Sequence, residues 1–371
     1  MKIAFIDSYY SRFLTHFYRE HPENASLSYD KHLRLLLDQF FGTSDYYSYN
    51  LQKQGFEARD YIVNDTILQR KWAVENGLKV SRAGISKKMI SLPYFYRFWG
   101  RPLWMQQIIL AQIRKYAPDI VYCQDMSILE PETLREIKNY TKLAIAQIAS
   151  PIPPDKYFKH FDLVITSFPH FVPYFRKMGM RCEYLKLAFE SRILKKTGEL
   201  PRDLPLVFVG SITPYHRQGT RMLEELARSV GLDFWGQFNM PLSPLSPLKK
   251  VYRGEAWGLS MYRILSRAKI VINRHIETAG DYANNMRLFE ATGMGAMLIT
   301  DDKKNLSELF RTGSDIEIYS SVKESIEKVK YYLSHDKERE LMAKAGKKRT
   351  LKDHNYQLRM EELAGILASY L

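Results

Sequence analysis

Short apolar segments alternate with helical segments along the chain, and this alternation constrains the fold more than any other sequence feature. In the first half, the apolar segments 2–6, 119–123 and 142–148 are separated by stretches with helical spacing of Leu and Ile. Strands separated by helices are typical of parallel sheets with right-handed crossovers. The pattern therefore predicts an α/β protein built from doubly wound parallel sheets.

The alternation is interrupted once, at residues 191–205, where the sequence is basic, contains glycine and proline, and has no periodicity. A chain of 371 residues is also longer than one ordinary hydrophobic core requires. We therefore predict two domains, 1–190 and 206–356, joined by a linker at 191–205. A last helix at 357–371 is expected to pack back on the first domain.

The composition is that of a soluble globular protein, with 45% hydrophobic and 26% charged residues. No apolar run approaches the roughly 18 residues of a membrane-spanning helix. The first residues read as a buried strand rather than a signal sequence. The two cysteines, Cys123 and Cys182, lie in or beside apolar segments, which predicts buried reduced thiols. Together these features favour a cytoplasmic protein.

The net charge of +14 is concentrated in part in one stretch that is both basic and aromatic. Residues 76–118 contain no acidic side chain, and basic residues recur from Lys79 to Lys115 among Tyr, Phe and Trp. Such a stretch suits an anionic membrane surface, a lipid diphosphate or a nucleic acid. A solvated basic face over a partly buried aromatic cluster explains it equally well. We keep a peripheral position on the inner face of the cell membrane as an expectation.

The segment 284–302 carries the clearest chemical pattern in the chain. It reads as a helix that begins at Asn284 and Asn285, ends near Gly293 and is followed by an apolar strand. Arg287 and Glu290 lie near the amino end of this helix. A helix start with these side chains can hold a phosphate on its amides and a sugar hydroxyl on its carboxylate. The segment therefore suggests a nucleotide-sugar site.

Several ordered motifs support a family resemblance. They are Phe-Val-Gly-Ser at 208–211, Ala-Lys-Ile-Val-Ile-Asn-Arg-His at 268–275, Asn-Met-Arg-Leu-Phe-Glu-Ala-Thr-Gly at 285–293, and more loosely Ala-Pro-Asp-Ile-Val-Tyr at 117–122. With these motifs the chain resembles the group 1 GT-B glycosyltransferases, in particular the spore-maturation CgeB-like proteins. The resemblance implies two Rossmann-like domains that face a central cleft. It also implies an acceptor domain first and a nucleotide-sugar donor domain second.

One departure from the family pattern concerns a carboxylate pair. Many relatives have a Glu-x7-Glu pair in this helix region, and here Glu290 matches the second member while Tyr282 stands at the first. The role of the first carboxylate is therefore not carried over. Retaining and inverting chemistry both stay open.

The donor diphosphate is expected to be held by amides and cations. We assign this role to Ser211 and Arg217, which follow the first strand of the second domain, with His216 as a weaker neighbour. Asn284, Asn285 and Arg287 would add amides and charge. An ordinary strand-to-helix turn and a simple N-cap are the alternatives for these positions.

The remaining donor positions are assigned to the nucleoside and the sugar. Glu290 is expected to accept from the ribose hydroxyls, with a salt bridge to Arg287 as the alternative. Gly236 is expected to let the base approach the backbone, unless it is a plain turn glycine. Asn273 and His275 end a strand and can border the donor sugar, and a core or turn role is equally compatible.

The acceptor hydroxyl needs a general base, which we expect in the first domain. Asp7 and Asp125 follow strands, at the sheet edge where ligands bind in such folds. His16 has a suitable ordinary pKa and can be oriented by a carboxylate. We rank His16 slightly ahead of Asp7, with Asp30 and Asp125 as further candidates.

The sequence thus predicts a glycosyltransferase that moves a sugar from a nucleoside-diphosphate sugar to a hydroxyl of a glycan or lipid-linked acceptor. Synthesis of a bacterial surface polysaccharide or glycoconjugate is the expected context. Neither a metal nor another cofactor is expected, because the resemblance implies a metal-independent clamp on the diphosphate. The alternatives are a nucleotide-sugar epimerase of the same fold, a non-catalytic sugar-nucleotide-binding protein and a nucleic-acid-binding protein. No recognisable motif supports nucleic acid as a partner.

Overall fold

The computed structural model describes residues 1–81, 100–213 and 217–371, without the side chains of residues 217, 218 and 278. The chain divides into two compact units. The first contains residues 1–185 and 360–371, and the second contains residues 186–359.

The first unit is built around a parallel six-stranded sheet with the strand order β2-β1-β3-β4-β5-β6. Its strands are β1 (Lys2–Asp7), β2 (Glu57–Ile62), β3 (Ile120–Cys123), β4 (Leu143–Ile148), β5 (Leu163–Thr166) and β6 (Cys182–Tyr184). Its described helices are α1 (Ser11–Glu20), α2 (Tyr29–Leu37), α3 (Tyr46–Gln52), α4 (Thr66–Glu75), α5 (Leu103–Tyr116), α6 (Pro131–Ile137) and α7 (Phe171–Lys177). The central strands are buried on both faces, which explains their continuous apolar sequences.

The second unit has a parallel five-stranded sheet with the order β11-β10-β9-β7-β8. Its strands are β7 (Leu204–Val209), β8 (Asp233–Trp235), β9 (Ala268–Ile272), β10 (Met297–Asp301) and β11 (Glu317–Tyr319). Its helices are α8 (Arg192–Thr197), α9 (Arg217–Ser229), α10 (Leu248–Val251), α11 (Gly258–Arg267), α12 (Met286–Gly293), α13 (Leu306–Leu309), α14 (Val322–Ser334) and α15 (Asp336–Asp353). The prediction of two α/β units with parallel sheets is confirmed.

The chain ends in helix α16 (Tyr356–Ala368), and its residues from Met360 onward group with the first unit. The side chains of Met360, Leu363 and Leu367 are fully buried. The Tyr370 hydroxyl donates at 2.6 Å to Oε1 of Glu183, the middle residue of β6.

The segment 191–205 is not the irregular linker that the sequence suggested. It contains helix α8, in which Ile193 and Thr197 are buried, and it groups with the second unit. A helix of six residues is too short to show a hydrophobic period, which is why the basic composition dominated the sequence pattern.

Cys123 and Cys182 are free and buried, as predicted. Among the described residues, no helix combines the length and the apolar character needed to cross a membrane.

Candidate active site

The second sheet reverses its strand order between β7 and β9. From β7 the chain continues to β8 on one side of it, whereas β9, β10 and β11 lie on the other side. The loops at the carboxyl ends of β7 and β9 therefore diverge, and such a switch point is where doubly wound sheets bind ligands. A pocket of about 150 Å³ lies there, which we call the β7–β9 pocket. The residues lining it include Gly210, Ser211, Gly219, Asn273, Arg274, Asn285 and Arg287.

The turn after β7 forms one wall of this pocket and packs closely against the turn after β8. The Gly210 amide donates to the Trp235 carbonyl at 3.0 Å. Gly236 has a φ of 147°, and a Cβ atom at this position would overlap the Gly210 carbonyl oxygen. Glycine is thus required at 236 by the approach of two backbone turns, which holds the Gly210–Ser211 turn at the pocket.

The amino end of helix α12 forms the opposite wall. Asn285 is the N-cap, because its Oδ1 accepts from the Arg287 amide at 2.8 Å. Its Nδ2 donates to Asn273 Oδ1 at 3.1 Å, which ties the helix start to the end of β9. The predicted N-cap is therefore present, and the positive end of the helix dipole lies at the pocket.

A buried hydrogen-bonded chain continues from Asn273 across to β10. Asn273 Nδ2 donates to Thr300 Oγ1 at 2.9 Å. Asp301 Oδ1 accepts from the His275 amide at 2.9 Å and from His275 Nδ1 at 2.7 Å. Burial opposes ionisation of Asp301, but the hydrogen bonds and charge of His275 outweigh it and hold the pKa of this carboxyl below its usual range.

His275 therefore presents Nε2 as its remaining ring nitrogen. This atom is buried and has no hydrogen-bond partner among the described residues. Because Nδ1 donates to a carboxylate in both forms of the ring, Nε2 is an acceptor when the ring is neutral and a donor when it is protonated.

Glu290 lies behind Arg287 rather than in the lining of the pocket. Its side chain is buried, Oε2 contacts Arg287 Nη1 at 2.7 Å, and Oε1 accepts from the Tyr262 hydroxyl at 3.2 Å. The salt bridge that was the alternative for this residue is present. A ribose role for Glu290 remains a prediction, and the observed effect of this carboxylate is to fix the guanidinium that reaches the pocket.

Of the other predicted donor residues, Asn284 is not in the lining of the β7–β9 pocket. Asn284 is half-buried just before the N-cap, and Tyr282 is also half-buried. His216 and the Arg217 side chain lie outside what the structure describes. Arg274 was missed by the sequence reading although it follows Asn273 at the end of β9. It lines the pocket and packs on Gly219 of α9, where a Cβ would lie 3.0 Å from Arg274 Cδ.

The first sheet also has a switch point, between β1 and β3, and Asp7 lies there. Asp7 Oδ1 accepts from the Ser8 amide at 2.7 Å, and Thr43 donates to its other oxygen at 3.5 Å. Burial, with a further contribution from the charge of Asp125, raises the pKa of Asp7 to about 7. Thr43 was missed because only the tertiary fold brings the loop after α2 to this edge.

The other candidate bases are placed differently. His16 is on α1, and its Nδ1 accepts from Arg19 Nη2 at 2.9 Å, so its neighbour is a cation instead of the expected carboxylate. Asp125 pairs with Arg101 at 3.3 Å. Asp30 was a wrong candidate, because it is exposed and pairs with Arg59 at the amino ends of the strands, the opposite edge of the sheet from Asp7.

The basic and aromatic stretch is described only at its ends, since residues 82–99 lie outside the described part of the chain. Lys79 is exposed. Arg101 is not a free surface charge: its guanidinium binds Ser127 as well as Asp125. Within the described ranges, no group of three or more His, Cys, Asp or Glu side chains could hold a metal ion.

The comparisons with known proteins agree with this architecture. Residues 217–365 match the family described as "Glycosyl transferase-like". No curated protein sequence matches the chain significantly.

Solved structures with the same fold include sucrose-phosphate synthase from Thermosynechococcus elongatus, with 11% identity, a TM-score of 0.60, and coverage of 100% of this chain and 98% of that one. Anabaena HepE in complex with UDP and glucose has 11% identity and a TM-score of 0.60, with both chains fully covered. A glycosyltransferase from Rickettsia africae has 12% identity, a TM-score of 0.56, and coverage of 100% and 98%.

At such low identities these structures establish the fold, and the predicted GT-B architecture is confirmed. The family match adds the activity class for the unit that contains the β7–β9 pocket. The chain is a glycosyltransferase with the GT-B fold.

Proposed function

We propose that the β7–β9 pocket binds the diphosphate of a nucleoside-diphosphate sugar and that the protein transfers this sugar to a hydroxyl acceptor. The observation that carries the proposal is the convergence of a glycine-serine turn, the amino end of α12 and the Arg287 guanidinium on one pocket at a strand switch point. Backbone amides, a helix dipole and a cation together favour a phosphate. They also stabilise the charge that develops on a leaving diphosphate.

Arg287 is prepared for this role by its surroundings. Glu290 fixes one terminal nitrogen at 2.7 Å, while Nε is buried without a partner among the described residues. A buried unpaired donor is costly, so a phosphate oxygen that accepts from Nε would relieve this cost. For Glu290 itself we retain the ribose hydroxyls as proposed ligands. A ribose hydroxyl would replace the Tyr262 hydroxyl as the donor to Glu290 Oε1.

Among nucleotide sugars, a UDP sugar is the first choice. Anabaena HepE, whose fold this chain shares, was solved with UDP and glucose and with UDP-glucose. The same proposal includes the remaining donor residues. Asn284, Arg217 and Ser211 would bind the diphosphate, Gly236 would let the base approach, and Asn273 and His275 would border the donor sugar.

On the acceptor side, the geometry favours Asp7 over His16 as the general base. Its pKa of about 7 is close to the value at which a base is both ionised and able to take a proton at neutral pH. In the transfer, the bond from the anomeric carbon to the diphosphate oxygen breaks and a bond to the acceptor oxygen forms. The acceptor proton passes to the carboxylate, and the diphosphate leaves with the bonding electron pair.

The biological setting is proposed more broadly. The sequence motifs support three further proposals. They are membership of the CgeB-like subgroup, a metal-independent reaction, and a role in bacterial surface polysaccharide or glycoconjugate synthesis. The same holds for a cytoplasmic location with attachment to the inner membrane surface through residues 79–115, and for a glycan or lipid-linked acceptor. Loss of liposome binding on removal of the Lys87 and Lys88 charges, with donor binding retained, would support the membrane part.

The test of the donor site is Asn285→Asp, with Ser321→Asp as its control. Both residues are N-caps in the second unit, and aspartate caps as well as asparagine or serine, so the cap is retained. Asn285→Asp also loses the hydrogen bond from Nδ2 to Asn273, so the melting temperature of each variant without ligand is measured beside its binding. Only Asn285 lies at the pocket, where a carboxylate would repel the diphosphate. We expect Asn285→Asp to weaken UDP binding about tenfold or more, and Ser321→Asp to leave it unchanged.

Thermal shift with UDP, GDP, TDP and CMP sugars provides the measurement, since a ligand at 100 times its dissociation constant adds about 2.7 kcal/mol. Equal binding by Asn285→Asp and wild type would refute the proposed site. Conversion of a nucleotide sugar without any acceptor would instead indicate an epimerase.

A further inference from the structure

We infer that the first unit carries a second ligand site, a cavity that binds a neutral saccharide away from the site of transfer. The cavity has a volume of about 390 Å³ and lies beside the starts of β1 and β2, where α2, α4 and α5 close it. We call it the β1–β2 cavity. Its volume is within the range of small-molecule sites, which is roughly 300 to 1,000 Å³. The inference does not rest on the proposed donor or on the proposed base.

The cavity is separated from the candidate active site of the same unit by the length of a strand. Lys2, which lines the cavity, is the first residue of β1, and Asp7 is the last. Five residue steps along a strand span about 16 Å. A ligand in the cavity therefore lies at the edge of the sheet opposite to Asp7.

Aromatic side chains form much of the wall: Tyr29, Tyr61, Trp72 and Tyr116. Tyr116 is held in place because its hydroxyl donates to the Glu57 carbonyl at 2.9 Å. Tyr29, Tyr61 and Trp72 are buried, so they contribute only ring edges, and the half-buried Tyr116 is the aromatic residue on which the C–H face of a pyranose ring can pack.

Most charged groups of the cavity are compensated, while Lys115, which also lines it, donates to the neutral Asn76 Oδ1. Arg59 contacts Asp30 at 3.1 Å, and Lys2 contacts Glu57 at 3.5 Å. Glu75 accepts from the Tyr29 amide at 2.8 Å. A phosphate site would need several uncompensated cations that converge on one point, and Lys115 alone does not supply them, whereas a neutral polyhydroxylated ligand needs donors and acceptors side by side. The arrangement favours the second.

A buried acceptor at the base of the cavity provides independent support. Gln112 is 1% exposed and lines the cavity, and its Nε2 donates to Gln69 Oε1 at 2.8 Å. Its Oε1 is buried with no hydrogen-bond partner among the described residues. An unsatisfied buried acceptor costs about 1–3 kcal/mol. A sugar hydroxyl in the cavity can donate to this oxygen and remove that cost.

The experiment measures binding of cellobiose, maltotriose, lactose and N,N′-diacetylchitobiose to the full chain by calorimetry and saturation-transfer NMR. Tyr116→Ala and Asp30→Asn remove an aromatic wall and an exposed carboxylate of the cavity. Tyr140→Ala and Asp155→Asn are their controls, because Tyr140 and Asp155 are exposed residues that do not line the cavity. We expect at least one sugar to bind, with about tenfold weaker binding in each cavity variant and unchanged binding in each control.

Three results would overturn the inference. One is the absence of binding for all four sugars at about 10 mM. Another is binding that the two cavity variants leave unchanged or that UDP displaces, which would place the sugar elsewhere. The third is binding of inorganic phosphate that competes with the sugar, which would make the cavity an anion site. None of these results depends on sugar transfer, so they leave the donor-site test unaffected.

Discussion

Asp7, at the end of a strand, has a raised pKa that its neighbours in sequence do not explain. The residue is hydrophilic, but the fold half-buries it at a switch point within the influence of Asp125. Hydrogen bonds from Ser8 and Thr43 favour the ionised form, and burial outweighs them. The result is a carboxyl group that titrates near neutrality and not near its ordinary value of 3.8.

The raised pKa of Asp7 predicts a pH-dependent effect of Asp7→Asn on stability. Between about pH 4 and pH 7 the unfolded chain releases the Asp7 proton while the folded protein keeps it. This residue therefore lowers the free energy of unfolding as the pH rises through that window, by roughly 1 kcal/mol per pH unit at the steepest, and has a constant effect above it. The stability advantage of Asp7→Asn over wild type should grow across the window and then level off. Urea unfolding at several pH values measures this difference.

Asp281→Asn is the control for this titration, because Lys304 lowers the pKa of the exposed Asp281 carboxyl by a hydrogen bond. Its difference from wild type should have the opposite sign and appear at lower pH. If Asp7→Asn were no more stable at pH 8 than at pH 4 relative to wild type, the buried-carboxyl account would be wrong. As the proposed base, Asp7→Asn should also lose transfer while retaining UDP binding.

For single residues, the sequence predicts which side chains lie at the ligand-binding edge of a sheet better than it predicts which other side chains they contact. Asp7, Ser211 and Asn273 were found because polar residues that end apolar strands lie at the ligand-binding edge. Thr43 and Arg274 reach the same edges through loops whose course depends on tertiary packing. Asp30 was misplaced for that reason, since a helix start gives no indication of which edge of the sheet it approaches.

Among the elements, helix α12 is positioned by a close contact with helix α15. Gly346 of α15 lies against the backbone of Asp315 and the side chain of Thr292. The hydroxyls of Thr292 and Thr350 meet at 2.6 Å in the buried contact between the two helices. Small residues thus allow the helix that caps the β7–β9 pocket to sit against a long neighbouring helix.

Gly346→Ala and Gly365→Ala should have opposite effects on stability. Both glycines lie inside long helices, α15 and α16, where alanine is intrinsically better by about 0.5–1 kcal/mol. A Cβ at Gly346 would overlap the Asp315 carbonyl oxygen, whereas a Cβ at Gly365 meets nothing within 4 Å. We therefore expect Gly346→Ala to lower the melting temperature and Gly365→Ala to raise it. A stabilising effect of Gly346→Ala would show that the close packing of α15 is not required.

Helix α12 was predictable because its cap, its apolar face and its terminal glycine all point to the same boundaries. Helix α3 was not, since its sequence Tyr-Tyr-Ser-Tyr-Asn-Leu-Gln has no helical period and five of its seven residues are buried. In that case the surrounding core determines the conformation. Helix α8 was missed for a different reason, because its six residues are too few to show a helical period.

For the whole molecule, the division into two units does not follow the order of the sequence. The first unit is completed by residues 360–371, which are separated from residue 185 by the entire second unit. The hydrogen bond from Tyr370 to Glu183, and the Arg181 guanidinium over the Tyr370 ring at 5.5 Å, join the carboxyl terminus to the β6 region. Periodicity predicts that the last helix exists, but only three-dimensional contacts assign it to a unit.

This assignment predicts that a substitution near the end of the chain weakens the first unit and spares the second. Leu367 is fully buried on the part of α16 that belongs to the first unit, so Leu367→Ala should cost about 2–5 kcal/mol there. Hydrogen exchange should show faster exchange of the amides in β5 and β6, and unchanged protection of β9 and β10. Leu358→Ala, in the same helix at a position that is 38% exposed, serves as the control and should change neither set. Equal loss of protection in both sheets would mean that the two units unfold as one, because a local defect in the first would then destabilise the second to the same extent.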